Sequence, residues 1–410
     1  MKMTGLYIQK IIPSAAFIIA FMLVLSSCES EPSGTESYVY YTIDEINRFI
    51  DDAHDAYPSI TAIEQVGTSV DGKPISALVI SSYSGTSTGP ASLEMEPRVR
   101  ISAGIHGNEK ITTEVLLRFI DYLLTEYGNS NAEIMDLINS RYIVIIPVIN
   151  PDGYINSRRY NSNGVDLNRN FSREWSDAYS IYGDYAFSEP ESYAVSQYSI
   201  SKRFTSGITL HSGEVIVNMP FDYGKESKGI FPAENTMVEY MGLVYAEAGT
   251  PAFYTNPDIL TSTYVYHGTI NGGDWYVITG SMQDWSYLDA GCLDYTVEIA
   301  ESKYPVYPED IEETYSYNRD SLVAFIKKSG YGVYGRVTDG ADPANGIAGV
   351  KITIPGGDLV VYTDADGYYH RLLMPGTYDL TCDMPGYTPQ TATITVPDTN
   401  SGIQLNVQLN

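Results

Sequence analysis

The sequence predicts an α/β domain on a mixed, largely parallel sheet flanked by helices, followed by a small all-β sandwich. Three observations predict it. From Tyr38 onward, stretches with helical spacing alternate with short apolar runs of strand length, the pattern of a sheet with crossover helices. One run, residues 142–149 (YIVIIPVI), is almost continuously apolar, as a strand buried on both faces must be. Around Gly330 the pattern changes. Short strand candidates follow one another, separated by Pro355-Gly356-Gly357, Asp366-Gly367 and Pro375-Gly376, which are turn chemistry.

Residues 1–27 stand apart from that fold. Lys2 and Lys10 precede an apolar run over 11–25 that ends in small residues. The run is short for a membrane span and reads as a signal peptide. Its end, Leu25-Ser26-Ser27-Cys28, resembles a bacterial lipobox. The resemblance implies cleavage before Cys28, a lipid on its sulfur, and a protein exported and anchored to the membrane of the cell envelope. Residues 28–37, acidic and rich in Ser, Pro and Gly, have tether composition. Cleavage removes two lysines and no acid, taking the net charge from −27 to −29. A chain this acidic is a poor partner for nucleic acid. Only Cys292 and Cys382 remain, which is no disulfide framework.

The first domain is read over 38–330. Residues 44–56 carry Ile46, Phe49, Ile50 and Ala53 on one helical face. Residues 98–105 (RVRISAGI) read as a strand, 111–127 as a helix with Val115, Leu116, Phe119, Leu123 and Leu124 inward, and 208–210 and 295–299 as further short strands. Loops at the ends of such strands are where an α/β sheet places its chemistry. The second domain, 331–410, is the sandwich. Its Asp364-Ala365-Asp366-Gly367 segment lacks the later ligands of a calcium loop and reads as a hairpin turn.

Two of the five histidines sit where strands end. His106-Gly107-Asn108-Glu109 separates the strand at 98–105 from the next helix. There an imidazole and a carboxylate can turn to one point, with Gly107 leaving room for close backbone approach. A zinc hydrolase needs three nitrogen or oxygen ligands and an open fourth position. His211, in Thr209-Leu210-His211-Ser212-Gly213, is the natural third. Three further segments bear on this: Asn150-Pro151-Asp152-Gly153-Tyr154, residues 164–171 (GVDLNRNF), and 295–299 (YTVEI), where Glu298 is a lone acid in an apolar strand.

In sequence, order and approximate spacing these segments resemble the zinc metallocarboxypeptidases. The match is nearer to the branch containing carboxypeptidases N, E and D, whose segments resemble residues 164–171 and 280–285 (GSMQDW). The domain at 331–410 resembles the transthyretin-like domain that accompanies that branch. The resemblance implies one Zn2+ per chain, held by His106, Glu109 and His211. It implies that Arg169 with Asn168 grips a peptide's terminal carboxylate, a bidentate task suited to a guanidinium. It further implies that Arg159, or adjacent Arg158, polarises the scissile carbonyl, that Tyr276 closes over substrate and that Glu298 is the general base. Asp222, eleven residues after His211, and Gln283 stand where basic-specific members read a C-terminal Lys or Arg. The substrates so implied are peptide or protein C-termini. Two other functions remain open: a stem-peptide carboxypeptidase acting on peptidoglycan, and a non-catalytic surface binding protein on the same fold. Against the latter, all the implied metal ligands and the base are present. His54, His267 and His370 read as structural or surface residues, and Cys292 as a small buried hydrophobe.

Overall fold

Among the described residues, eight strands make one mixed sheet: β1 (Thr61–Thr68), β2 (Pro74–Ile80), β3 (Arg98–Ser102), β4 (Tyr142–Ile146), β5 (Ser206–His211), β6 (Glu214–Met219), β7 (Thr269–Asn271) and β8 (Leu293–Ala300). Their order is β1-β2-β4-β3-β5-β8-β6-β7. Pairing is parallel through the centre, β4-β3-β5-β8, and antiparallel at β1-β2, β2-β4 and β8-β6. The computed structural model describes residues 38–82, 96–249, 252–255, 267–398 and 402–410. The residues read from sequence as a signal peptide, Cys28 and a tether lie outside them. Among the described residues no helix is long and apolar enough to cross a membrane.

β4 shows why the sheet is layered. Ile143 and Ile145 join one apolar cluster with the helices Ile43–Ala56, Lys110–Gly128, Asn235–Ala248 and Pro308–Lys328. Val144 and Ile146 point into a second cluster on the other face, with Val195 and Tyr198 of the helix Pro190–Lys202 and with Trp285. Alternation along one strand thus feeds two cores, and all four side chains are fully buried. The run read over 142–149 stops pairing at Ile146. Beyond Pro147, the side chain of Asn150 accepts the Gly153 N–H at 2.8 Å and starts a short helix, Pro151–Ile155, with proline in its first turn. The first helix begins with a capping box: Thr42 Oγ1 accepts the Glu45 N–H, and Glu45 Oε2 accepts the Thr42 N–H.

The C-terminal sandwich has β9 (Val333–Asp339), β10 (Lys351–Thr353), β11 (Val361–Tyr362), β12 (Tyr368–Arg371), β13 (Gly376–Asp383), β14 (Gln390–Val396), β15 (Ile403–Gln404) and β16 (Val407–Leu409). One sheet runs β11-β10-β13-β14. The other is β12-β9-β15, with β16 also on β9. The turn at Asp364 differs from the hairpin read from sequence. Asp364 Oδ1 accepts the N–H groups of Asp366 and Tyr368, which makes a tight turn, but β11 and β12 pair with different partners, so the turn crosses between sheets. The two domains share a core. Leu359 and Leu372 of the sandwich pack in the larger apolar cluster of the first domain, and buried Arg371 pairs with Glu234. Cys292 and Cys382 are both buried and free.

Candidate active site

Three adjacent parallel strands, β3, β5 and β8, deliver the polar residues to one end of the sheet. His106 lies in the loop after β3, and Glu109 immediately precedes the helix Lys110–Gly128. That loop presses on the Pro151–Ile155 helix so closely that a Cβ on Gly107 would fall 2.0 Å from the Gly153 carbonyl carbon. His211 ends β5 and is in register with Glu298 on β8. The spacing between these strands therefore sets the distance between them.

His106 Nδ1 lies 3.0 Å from Glu109 Oε1, and His211 Nδ1 lies 3.2 Å from Glu109 Oε2. One ligand atom from each residue falls within 4.8 Å of the others, and all three side chains are buried. Donors about 2.1 Å from a tetrahedral ion stand about 3.4 Å apart, so this set of two nitrogens and a carboxylate suits zinc. The other nitrogen of His106 is held by Asp166 Oδ1 at 3.1 Å, the carboxylate support typical of a ligating imidazole. Burial opposes ionisation of Glu109, yet His106 and His211 hold its carboxyl well below the usual range. Burial takes His211 down to about 4, a neutral imidazole ready to ligate, against the pull of Glu109.

A cavity of about 220 Å3 opens on this cluster. Arg159 enters it. Its Nε donates to Asp166 Oδ2 at 2.8 Å, and its Nη1 stands 3.1 Å from His106 Nδ1. Arg158 is exposed, which leaves Arg159 as the guanidinium beside the metal position. Asn168 and Arg169 line the cavity. Asn168 Oδ1 accepts the Met282 N–H at 2.9 Å, and Arg169 Nη1 donates to the Asn168 carbonyl at 2.8 Å. Gly280, at φ +70°, lies across from them; a Cβ there would meet the Arg169 carbonyl oxygen at 2.3 Å. Glu298 also lines the cavity, and its Oε2 is buried without a partner. Burial, then the charge of Glu109, pushes its carboxyl well above the usual range. Tyr276 stands half exposed on the rim.

The far wall holds Asp222. Its backbone N–H is donated to both oxygens of Asp284, at 2.9 and 3.0 Å, and the Tyr223 N–H to Asp284 Oδ2 at 3.0 Å. Asn218 Nδ2 donates to Asp222 Oδ1 at 3.0 Å, while Asp222 Oδ2 is buried and unpartnered. Gln283 departs from its expected place: it does not line the cavity. Its Oε1 accepts the Thr296 N–H at 2.6 Å, and its Nε2 lies 3.5 Å from Asn218 Oδ1, one layer behind the wall. A side chain with both amide atoms engaged on the β8 backbone and Asn218 is a support.

The sequence reading assigned no role to four residues used here. Asp166 grips His106 and Arg159 from within the GVDLNRNF segment, where its position alone could have flagged it. Lys303 donates to Glu109 Oε1 at 2.7 Å and to the Ser212 carbonyl at 2.9 Å. Asn218 and Asp284 orient Asp222. Asp284 lies within the GSMQDW segment, whereas nothing in the local sequence announced Lys303 or Asn218.

The zinc carboxypeptidase family matches residues 46–321, two-thirds of the chain, and the carboxypeptidase regulatory-like domain matches 332–410. The chain belongs to the zinc carboxypeptidases. That family uses one Zn2+, and the His106–Glu109–His211 cluster fits it. Carboxypeptidase D of Anas platyrhynchos is 34% identical over 366 residues, covering 86% of this chain and 25% of that protein. The carboxypeptidase N catalytic chain of Rattus norvegicus is 31% identical over 393 residues, covering 88% and 84%. This chain thus spans about a quarter of the carboxypeptidase D polypeptides it matches. Among solved structures, carboxypeptidase A from Helicoverpa armigera superposes with a TM-score of 0.58 at 23% identity, over 71% of this chain and 73% of the other. Bovine thrombin-activatable fibrinolysis inhibitor, in complex with a tick carboxypeptidase inhibitor, gives 0.56 at 23% identity, over 71% and 97%. Both describe the same fold.

Proposed function

We propose that this zinc carboxypeptidase removes the C-terminal residue of peptides and favours Lys or Arg there. One observation carries the reading. A single cavity joins the His106–Glu109–His211 cluster, the Arg169 guanidinium and two buried carboxylate oxygens without partners, on Glu298 and Asp222. When bound, zinc supplies a water of lowered pKa and polarises the scissile carbonyl. Arg169, beside Asn168, holds the terminal carboxylate, which restricts the enzyme to chain ends. Arg159 stabilises the negative charge that develops on the carbonyl oxygen. Glu298, raised by burial, takes the proton from the attacking water and passes it to the leaving amine. Tyr276 on the rim is placed to cover the substrate.

The preference rests on Asp222. Burial pushes its carboxyl above the usual carboxylate range, opposed in part by the hydrogen bond from Asn218 and the charge of Arg169. A guanidinium or ammonium entering the cavity would partner Oδ2, whereas an apolar side chain would leave it orphaned. Peptides differing only in a final Arg, Lys, Leu or Phe test this. Arg and Lys should lead in kcat/KM, chelation should abolish cleavage and zinc restore it. Asp222→Ala should erase most of the preference, about a hundredfold. A wild type that prefers Leu or Phe would sink the reading.

The Leu25–Cys28 lipobox supports an exported, lipid-anchored enzyme. Several acyl chains hold a protein at a membrane far more firmly than one. Cys28→Ala should move the protein from the membrane fraction to the soluble one, and a wild type that already fractionates as soluble removes the anchor.

A further inference from the structure

The sandwich touches the wall of the cavity that carries Asp222. Asp358, in the connection from β10 to β11, extends its carboxylate to two elements of the first domain at once. Tyr287 donates its hydroxyl to Asp358 Oδ1 at 2.7 Å, and Ala233 donates its backbone N–H to Oδ2 at 2.8 Å. Tyr287 is fully buried on the helix Met282–Leu288, one turn beyond Asp284. Its ring packs edge-on against Phe221, with centroids 5.4 Å apart and planes at 85°. Phe221 directly precedes Asp222, and Asp284 receives the backbone N–H groups of Asp222 and Tyr223. Both ends of the pocket segment are thus gripped. Phe221 and Asp222 rest on the helix Met282–Leu288, and the chain leaving the pocket is held at Ala233 and, through the ion pair with Arg371, at Glu234.

We infer that Asp358 is a positioning residue for the pocket acid, so that the C-terminal sandwich helps to set which C-terminal residue the enzyme accepts. The inference rests on the reading of Asp222 given above. Its physical basis is the fixed geometry of a half-buried carboxylate that bridges two elements and accepts the hydroxyl of a fully buried tyrosine. With Asp358 in place, the Tyr287 hydroxyl is held, its ring packs on Phe221, and Asp222 keeps its place in the cavity wall. Without it, the hydroxyl of the buried Tyr287 loses its acceptor and the exposed Ala233 N–H turns to water, so the helix and the segment lose their common tie. Because His211 and Glu298 lie on β5 and β8, and His106 and Glu109 in the loop after β3, none of them in contact with Asp358, the effect falls on side-chain recognition rather than on the chemical step. Positioning by a chain of packed groups of this kind changes equilibria by about tenfold when one link is cut.

The test uses the full chain with zinc bound, as wild type, Asp358→Ala, Tyr287→Phe and, as a control, Asp383→Ala on the exposed face of β13. Tyr287→Phe keeps the ring on Phe221 and loses only the hydroxyl, so it remains informative should Asp358→Ala not fold. Two readouts are taken on variants that melt cooperatively. The first is kcat and KM on matched peptides ending in Arg and Leu. Asp358→Ala should raise KM for the Arg peptide about tenfold with kcat within about twofold, lowering the Arg:Leu ratio. Tyr287→Phe should do the same to a smaller degree, and Asp383→Ala should do nothing. A loss of activity shared equally by both peptides, or an unchanged Arg:Leu ratio, overturns the inference. The second readout needs no substrate: hydrogen exchange at the amides of Asp222 and Tyr223. Exchange there should quicken in Asp358→Ala and Tyr287→Phe, and exchange unchanged from wild type overturns the inference whatever the kinetics show. If wild type has no preference for Arg but exchange quickens, the mechanical link stands and it is the specificity reading that fails.

Discussion

At the scale of one residue, Glu298, the base proposed above, is a buried acid without a structural partner. It sits on a strand whose every residue is buried, with one oxygen partnerless and facing the cavity. A structural acid in such a place would have an arginine on it, as Asp294 has Arg100 four residues earlier on the same strand. Glu298→Gln keeps the shape and removes the ability to take a proton. Turnover should fall by about a thousandfold or more, while zinc content by elemental analysis stays at one per chain. The melting temperature should hold or rise, because an unpaired buried carboxylate is costly. Near wild-type kcat would assign the base to another group. The sequence exposed Glu298, Arg169 and the two histidines because each is a polar residue in an apolar or turn-rich frame. It did not expose Lys303, since a lysine in an acidic, polar stretch after β8 has no local mark, and only the fold brings it to Glu109.

At the scale of elements, the pairing of β9 with β12 carries a pH dependence. His370 on β12 lies opposite Tyr334 on β9, with their rings stacked 6.3 Å apart at 4°. Burial, with a contribution from the charge of Arg141, takes its imidazole down to about 3. Below pH 6.5 the unfolded chain binds a proton that the native state refuses. Stability therefore falls as pH drops from 6.5 towards 3, by up to about 1.4 kcal/mol per unit. His370→Phe keeps a flat ring against Tyr334 and removes this loss. Urea unfolding at pH 7 and pH 5 should show a larger drop for wild type than for His370→Phe, and equal drops would mean that His370 titrates normally in the fold. Elsewhere, strands with a continuous apolar run, such as β4, were readable from the sequence, because burial on both faces leaves a composition that helices and loops lack. The β1–β2 hairpin was not. β1 is an edge strand with alternating exposure, and its Glu64 serves Tyr142, Tyr198 and Lys202 across the sheet edge.

For the whole molecule, the two sequence domains form one buried structure. Leu359 and Leu372 fill the larger core, and Arg371 satisfies Glu234 beside the helix that packs on β6. Ending the chain at Gly330 would expose the surfaces those leucines cover, about 2 kcal/mol for each. It would also remove Arg371, the cation paired with Glu234. Such a chain should melt on the order of 10 °C lower than the full protein or fail to accumulate folded. A truncated chain with unchanged melting would mean that the domains are independent.

The sequence by itself determined the α/β class, the change to a sandwich near Gly330 and the family, because periodicity, turn chemistry and ordered motifs are local and survive without coordinates. It also marked His106, Glu109 and His211 as ligand types at strand ends. Only the tertiary structure decided which side chains share the cavity. Arg159 and not Arg158 enters it, Gln283 stands behind the wall, and Asp166, Lys303 and Asp284 hold the others in place. Those facts depend on residues up to 194 positions apart in the chain meeting at one end of a sheet. Strand order and register set such distances, and no short stretch of sequence contains them.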